Sequence, residues 1–177
     1  MTIFFIDNPP YCLRHRYRKN VSEGAQIGSY VLSVEASDED LEENAKLRYY
    51  LSGENAEHFM IDRQSGEMKT AVTLDREAFW KYQLIAHVQD KEKTFWECSS
   101  EVEILITDIN DNSPQFLMGQ YSVTLPEDVE VGTLVTKVHA YDKDLGINRK
   151  VRYSLVDNLK DQFDITPDSG IVTLRVP

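Results

Sequence analysis

The chain is poor in the features that mark many functional classes. It has only two cysteines, Cys12 and Cys98, with no CxxC pair, and its four histidines (His15, His58, His87, His139) are scattered. That argues against structural zinc, which needs clustered Cys and His ligands. No run approaches the roughly 18 apolar residues of a membrane span, and the opening MTIFFIDNPP is too short in apolar residues for a signal h-region, which suggests an internal piece of something longer. Positive charge is in the minority, 19 Lys and Arg against 30 Asp and Glu, net −11. Nucleic acid and an anionic membrane surface are therefore excluded as partners of this segment, because phosphate contacts need clustered cations. Nor is there a GxSxG, P-loop, GxGxxG or HExxH motif, so catalysis has no candidate.

What the chain does have is 41% hydrophobic residues, enough for a packed core, in 177 residues, room for one large domain or two of about 100. It also has DINDNSPQF at 108–116, which crowds two aspartates and two asparagines into Asp108 to Asn112. As loop filler that density would be self-repelling, so a positive charge is expected there.

Self-comparison is decisive. ASDEDLEENAKLRYYL (36–51) aligns with AYDKDLGINRKVRYSL (140–155), placing Asp38 on Asp142, Asp40 on Asp144, Asn44 on Asn148 and Tyr49 on Tyr153. The same offset of 104 residues, without a gap, puts Tyr17 on Tyr121, Glu23 on Glu127, Phe59 on Phe163 and Ser65-Gly66 on Ser169-Gly170. Chance does not hold one register over so many separated features, so the chain is two copies of one module with DINDNSP as the joint.

Within the first copy, Leu32/Val34/Ala36, Leu47/Tyr49/Leu51, Phe59/Ile61, Tyr82/Leu84/Ala86/Val88 and Val102/Ile104/Ile106 alternate with more polar residues, as half-buried strands do. Strands near 17–21 and 67–72 bring the number to seven in about 100 residues, a β-sandwich pattern. SDEDLEENAKLRYY reads locally as a helix, but its partner carries Gly146 and β-branched residues, so a loop with at most one helical turn is expected.

Ser22-Glu23 and Pro126-Glu127, AYDKDLGIN (140–148), LDRE (74–77) and DINDNSPQF, in this order and at these separations, resemble the extracellular repeat of the cadherin superfamily. The resemblance covers nearly the whole chain, and four motifs in register make it specific. It implies an all-β fold: tandem seven-stranded Greek-key, immunoglobulin-like sandwiches joined by a calcium-binding linker. The organisation it implies is 1–8 as the end of a preceding linker or leader, 9–107 as one repeat, 108–114 as the linker, and 115–177 as a second repeat truncated at its C-terminus.

Carried over motif by motif, the ligands of the inter-repeat calcium would be Glu23, Asp75 and Glu77 from the first repeat, and Asp108, Asn110 and Asp111 with the carbonyls of Ile109 and Asn112 from the linker. Asp142, Asp144 and the Asn148 carbonyl would come from the second repeat. Ca²⁺ is a hard ion that takes roughly six to eight oxygen ligands, which this set supplies. In the sandwich that the resemblance implies, Cys12 and Cys98 fall at the same end of the repeat, so in an oxidising compartment an intradomain disulfide between them is expected over the alternative of two free thiols, and the loop it closes is long.

Other features have competing readings. Arg14, Arg16, Arg18 and Lys19 could suggest heparin, but RHRYRK alternates like an edge strand guarded by positive charge. Asn20-Val21-Ser22 is a glycosylation sequon consistent with secretion, and the competing reading is a sequon left unused for want of room, because it lies on the strand entering Glu23. Trp80 and Trp96 read as partly buried loop anchors, with a contact surface as the alternative for either. Neither is near the N-terminus, so the strand-swapping mode of adhesion is not expected, and the resemblance leans towards the long, many-repeat Fat, Dachsous and protocadherin kind. Asp75 and Glu77 as a glycosidase pair would need a sugar-sized cleft with aromatics, which do not cluster there.

Departures matter too. Over DINDN the offset lays Phe4, Phe5, Ile6, Asp7 and Asn8, and Glu42 stands where Gly146 does. An upstream calcium site from Asp38, Asp40, Asn44 and Asp90 is therefore expected to be partial. Pro177 is the equivalent of Thr73, so the second copy lacks its last two strands in this sequence. The expected function is calcium-dependent adhesion by an extracellular segment of a single-pass plasma-membrane protein, with another cadherin-like ectodomain as partner, homophilic or heterophilic. A calcium-free sandwich of fibronectin type III kind is the alternative, and an enzyme a distant third.

Overall fold

The computed structural model describes residues 8–39, 46–156 and 161–176. It divides into two compact units, Met1–Ile109 and Asn110–Pro177. No α-helix occurs among the described residues.

The first unit contains β1 (Tyr11–Cys12), β2 (Arg16–Ser22), β3 (Tyr30–Ser33), β4 (Ala36–Ser37), β5 (Leu47–Gly53), β6 (Phe59–Ile61), β7 (Glu67–Thr70), β8 (Lys81–Asp90) and β9 (Glu97–Thr107). One sheet has the order β2-β9-β8-β5 and the other β3-β7-β6, with β1 paired to β4 alongside. The β2–β9 pair is parallel, Tyr17 opposite Val102 and Val21 opposite Ile106, while the other ladders run antiparallel. Period-two alternation produces this directly: in β8 the side chains of Tyr82, Leu84, Ala86 and Val88 are buried while Gln83 and Ile85 face out. They meet Val31, Val34, Met68, Val102 and Ile104 from both sheets in one core. Fully burying a side chain such as Ile104 contributes about 1.5–3 kcal/mol.

The expected strand over Leu32 to Ala36 is broken. Val34 N–H donates to the Gly66 carbonyl, and Glu35 N–H to the Tyr17 hydroxyl at 2.8 Å, so the chain leaves β7 and passes to β1. The strand expected over 67–72 ends at Thr70, whose buried hydroxyl donates to the Gln26 carbonyl and accepts from Ser29 N–H. Trp80 is not a partly buried anchor: it is 64% exposed. Its neighbour Phe79 takes the place beside His58 and Tyr82, at ring centroid distances of 5.5 and 5.9 Å. Trp96 is half-buried, with the Lys93 ammonium over its ring.

The second unit has β10 (Gln115–Phe116), β11 (Leu134–Lys137), β12 (Ala140–Tyr141), β13 (Phe163–Ile165) and β14 (Ile171–Leu174), in sheets β10-β12 and β11-β14-β13. The 104-residue register is visible bond by bond. Glu35 N–H to Tyr17 OH is repeated as His139 N–H to Tyr121 OH, and Val34 N–H to Gly66 O as Val138 N–H to Gly170 O. Glycine is required at Gly66 and Gly170: φ is +71° and +67°, and a Cβ would stand 2.5 and 2.4 Å from the Val34 and Val138 carbonyl oxygens. Residues 151–155, the counterpart of most of β5, and 121–126, the counterpart of β2, form no ladder. In the first unit those strands pair with β8 and β9.

Candidate metal centre

In the first unit β2 and β9 run parallel and stop together, and the residue after each, Glu23 and Asp108, is acidic. Buried Leu74 anchors the approach of LDRE to the same end. Asp75 caps the turn that follows, its Oδ1 accepting from Ala78 N–H at 3.1 Å. The carboxylates of Glu23, Asp75 and Glu77 each offer an oxygen, and these lie within 4.8 Å of one another.

Glu23 is 3% exposed, and its carboxylate is fixed by two backbone amides: Arg76 N–H donates to Oε2 and Ile109 N–H to Oε1, both at 2.8 Å. Each oxygen keeps a lone pair for a further partner. Sequence reasoning passed over Arg76, the third residue of LDRE. Its guanidinium, 9% exposed, donates from Nε to Asp108 Oδ1 at 2.7 Å and pairs with Glu77. The signal was in the motif, but an arginine within it does not announce which way it turns. One guanidinium beside Glu23, Asp75, Glu77 and Asp108 leaves a large negative excess.

In the second unit, Asp142 and Asp144 are buried at 3% and 0% exposure. Asp144 N–H donates to Asp142 Oδ1 at 2.9 Å, and Asp144 Oδ1 accepts from the backbone N–H and Nδ2 of Asn112, at 3.2 and 2.7 Å. Asn112 Nδ2 also donates to Asp111 Oδ1. Asn148 closes a turn through its N–H to the Leu145 carbonyl, with Gly146 at φ +57° between them. Asp144 Oδ2 is buried with no hydrogen-bond partner. An orphaned carboxylate oxygen is costly in a protein interior unless a cation meets it. The donor set is all oxygen, which suits a hard ion such as calcium and not a soft one. The residues therefore fit calcium.

Of the expected upstream set, Asp40 and Asn44 lie outside the described residues. Asp38 is half-buried beyond β4, and Asp90 ends β8 with its Oδ1 accepting from Glu92 and Lys93 N–H at 2.7 and 2.6 Å. Arg14, Arg16, Arg18 and Lys19 lie on or just before the edge strand β2, as expected, and Arg16 and Arg18 pair with Glu101 and Glu103 of β9. Cys12 and Cys98 form a disulfide with a Cα separation of 5.7 Å.

One serine–histidine–glutamate arrangement stands apart: Ser52 Oγ is 2.7 Å from His87 Nε2, and Glu97 Oε1 is 3.8 Å from His87 Nδ1. It crosses three strands on the outer sheet face. Tyr50 stacks on His87 and donates to Glu97, which also accepts from Gln89. That is a cross-strand ladder of side chains that binds a sheet face together.

Fold and site define a class: tandem Greek-key sandwich repeats that present clustered acids where strands end. The chain belongs to the cadherin family, whose domain model matches residues 17–107 and 121–177. It is 49% identical over 169 residues to the Fat-like cadherin-related tumor suppressor homolog of Drosophila melanogaster, and 38% over 171 residues to human Protocadherin Fat 1. These alignments cover 96% and 97% of the chain but 4% of each relative, so the chain spans a small part of their length. Among solved structures, mouse Cadherin-23 EC22-24 superposes with a TM-score of 0.88 at 32% identity, covering 97% of this chain and 55% of that one. The fibronectin type III alternative is thereby set aside.

Proposed function

We propose that this segment is part of a calcium-dependent cell-adhesion ectodomain, in which calcium held by both repeats stiffens the rod they form. The observation that carries the reading is the pair of incomplete oxygen sets: the Glu23, Asp75 and Glu77 cluster in one unit, and the buried, orphaned Asp144 Oδ2 in the other. Ligands would come from Glu23, Asp75, Glu77, Asp108, Asn110 and Asp111, the carbonyls of Ile109 and Asn112, and Asp142, Asp144 and the Asn148 carbonyl. Calcium supplies positive charge that links carboxylates of the two repeats. The protein's own part is to hold Glu23 and Asp144 by backbone amides, so that little ordering remains when an ion arrives. A partial upstream site would use Asp38, Asp40, Asn44 and Asp90.

Extracellular calcium modules bind at about 0.1–1 mM. At tenfold excess over Kd each ion stabilises the bound form by about 1.4 kcal/mol, so the three ions that the cadherin resemblance implies at such a joint would contribute about 4 kcal/mol. That is enough to favour one relative orientation of neighbouring repeats. The partner is another cadherin-like ectodomain, and the setting is the extracellular part of a single-pass plasma-membrane protein. The role is mechanical and adhesive, not enzymatic. Limited proteolysis and small-angle scattering with and without chelator test the reading. Calcium should protect residues 108–114 and narrow the distribution of shapes, and indifference of both to chelation would contradict it.

A further inference from the structure

We propose that Asn20 carries an N-linked glycan, which shields the free edge of the four-stranded sheet. Asn20-Val21-Ser22 is the only Asn-X-Ser/Thr triplet in the chain. So short a motif recurs by chance, and three structural observations separate this one from accident. Asn20 is exposed on β2, the outermost strand of the order β2-β9-β8-β5, so no strand lies beyond it. Its side-chain amide has no hydrogen-bond partner among the described residues, so nothing in the fold competes for the nitrogen. Tyr17 and Val21 turn into the core, which places Asn20 with Arg16, Arg18 and Ser22 on the outward side. Independently, the Cys12–Cys98 disulfide points to folding in an oxidising compartment, the secretory route in which asparagine-linked sugars are added.

The position also has a purpose. Exposed sheet edges invite pairing with other chains, and charge is the usual guard. On β2, Arg16 and Arg18 pair with Glu101 and Glu103, but among the described residues no such pair protects Asn20 to Ser22. A sugar at Asn20 covers that stretch and directs protein partners to other faces of the repeat. In the transfer, Asn20 Nδ2 bonds to C1 of the first sugar of an oligosaccharide carried on a polyisoprenyl diphosphate. The C1–O bond to diphosphate breaks, the diphosphate leaves with the electron pair, and one amide proton goes to base. No redox change is involved.

The test is mass spectrometry of the chain secreted from animal cells, with the disulfide verified on the same sample. Peptide N-glycosidase in ¹⁸O water is expected to remove an oligosaccharide mass from most molecules and convert Asn20 to ¹⁸O-labelled aspartate. Asn20→Gln and Ser22→Ala should each abolish the shift while secretion and disulfide persist. A secreted, disulfide-bonded protein in which most molecules keep an unmodified Asn20 would overturn the proposal, whatever its calcium affinity.

Discussion

Replacing the bridge by Cys12→Ala with Cys98→Ala is expected to destabilise the first repeat by about 5 kcal/mol. The bridge spans 86 residues, and in the chain-entropy model closing such a loop in the unfolded chain is worth about 4.6 kcal/mol at 25 °C. Both sulfurs also pack half-buried against the core, and losing them adds a few tenths to about 1 kcal/mol. Domain stabilities are about 5–15 kcal/mol, so the variant should sit near the margin of folding. The effect has a place as well as a size. β1 has two residues, joined to β4 only through Tyr11 opposite Ser37 and Cys12 opposite Ala36, and the bridge is its covalent tie to β9. Urea unfolding in chelator gives the free energy, and hydrogen exchange gives the location, with β1 amides losing protection before those of β8. A loss below about 1 kcal/mol would refute the reasoning, as would two titratable thiols in the unreduced wild type.

Gly66→Ala should cost about 3 kcal/mol or more, through a left-handed φ and a Cβ 2.5 Å from the Val34 carbonyl oxygen. Gly28→Ala, at φ +87° but with nothing within 4 Å, should cost only about 1 kcal/mol; equal losses in urea unfolding would contradict the steric part. Glu23→Gln in chelator loses one of two charged acceptors, about 1.5–3 kcal/mol, against relief of repulsion from Asp75 and Glu77 that the lost attraction to Arg76 partly cancels. Net destabilisation by about 1–2 kcal/mol is expected, and a more stable variant would mean repulsion dominates. The Ser65 N–H, then Gln64 N–H and the Ser65 hydroxyl, hold the Asp62 carboxyl below its usual range. Its folded pKa is depressed, so its contribution is present above the unfolded value and lost as pH falls through the folded one. Asp62→Asn should flatten that acid limb of stability, and an unchanged pH profile would count against it.

The repeat was legible because both of its signals are local. Alternation such as Tyr82/Leu84/Ala86/Val88 needs only a two-sided strand, and an ungapped offset needs only counting. The candidate ligands were legible because the motifs carry acids that have no ordinary reason to crowd. Features that depend on what lies opposite were not. The break at Val34–Glu35 follows from the Tyr17 hydroxyl and the Gly66 carbonyl, the end of β7 from the Thr70 hydroxyl, and the exposure of Trp80 from Phe79 standing beside His58 and Tyr82 in its stead. Arg76 belongs with these: its charge is in the sequence, but its turn towards Asp108 and Glu77 is set by the packed end of the sandwich. Asp144 was named as a ligand, yet its orphaned oxygen appears only once Asn112 has taken the other.

Calcium titration calorimetry on the wild type, Glu77→Ala and Asp144→Ala tests the bridging claim most directly. The two residues belong to different repeats, so only shared ions make both matter to the same binding event. The account predicts that each substitution lowers calcium affinity at least severalfold and reduces the number of bound ions in the same phase of the titration. Affinity that falls for one substitution and is untouched by the other would contradict it.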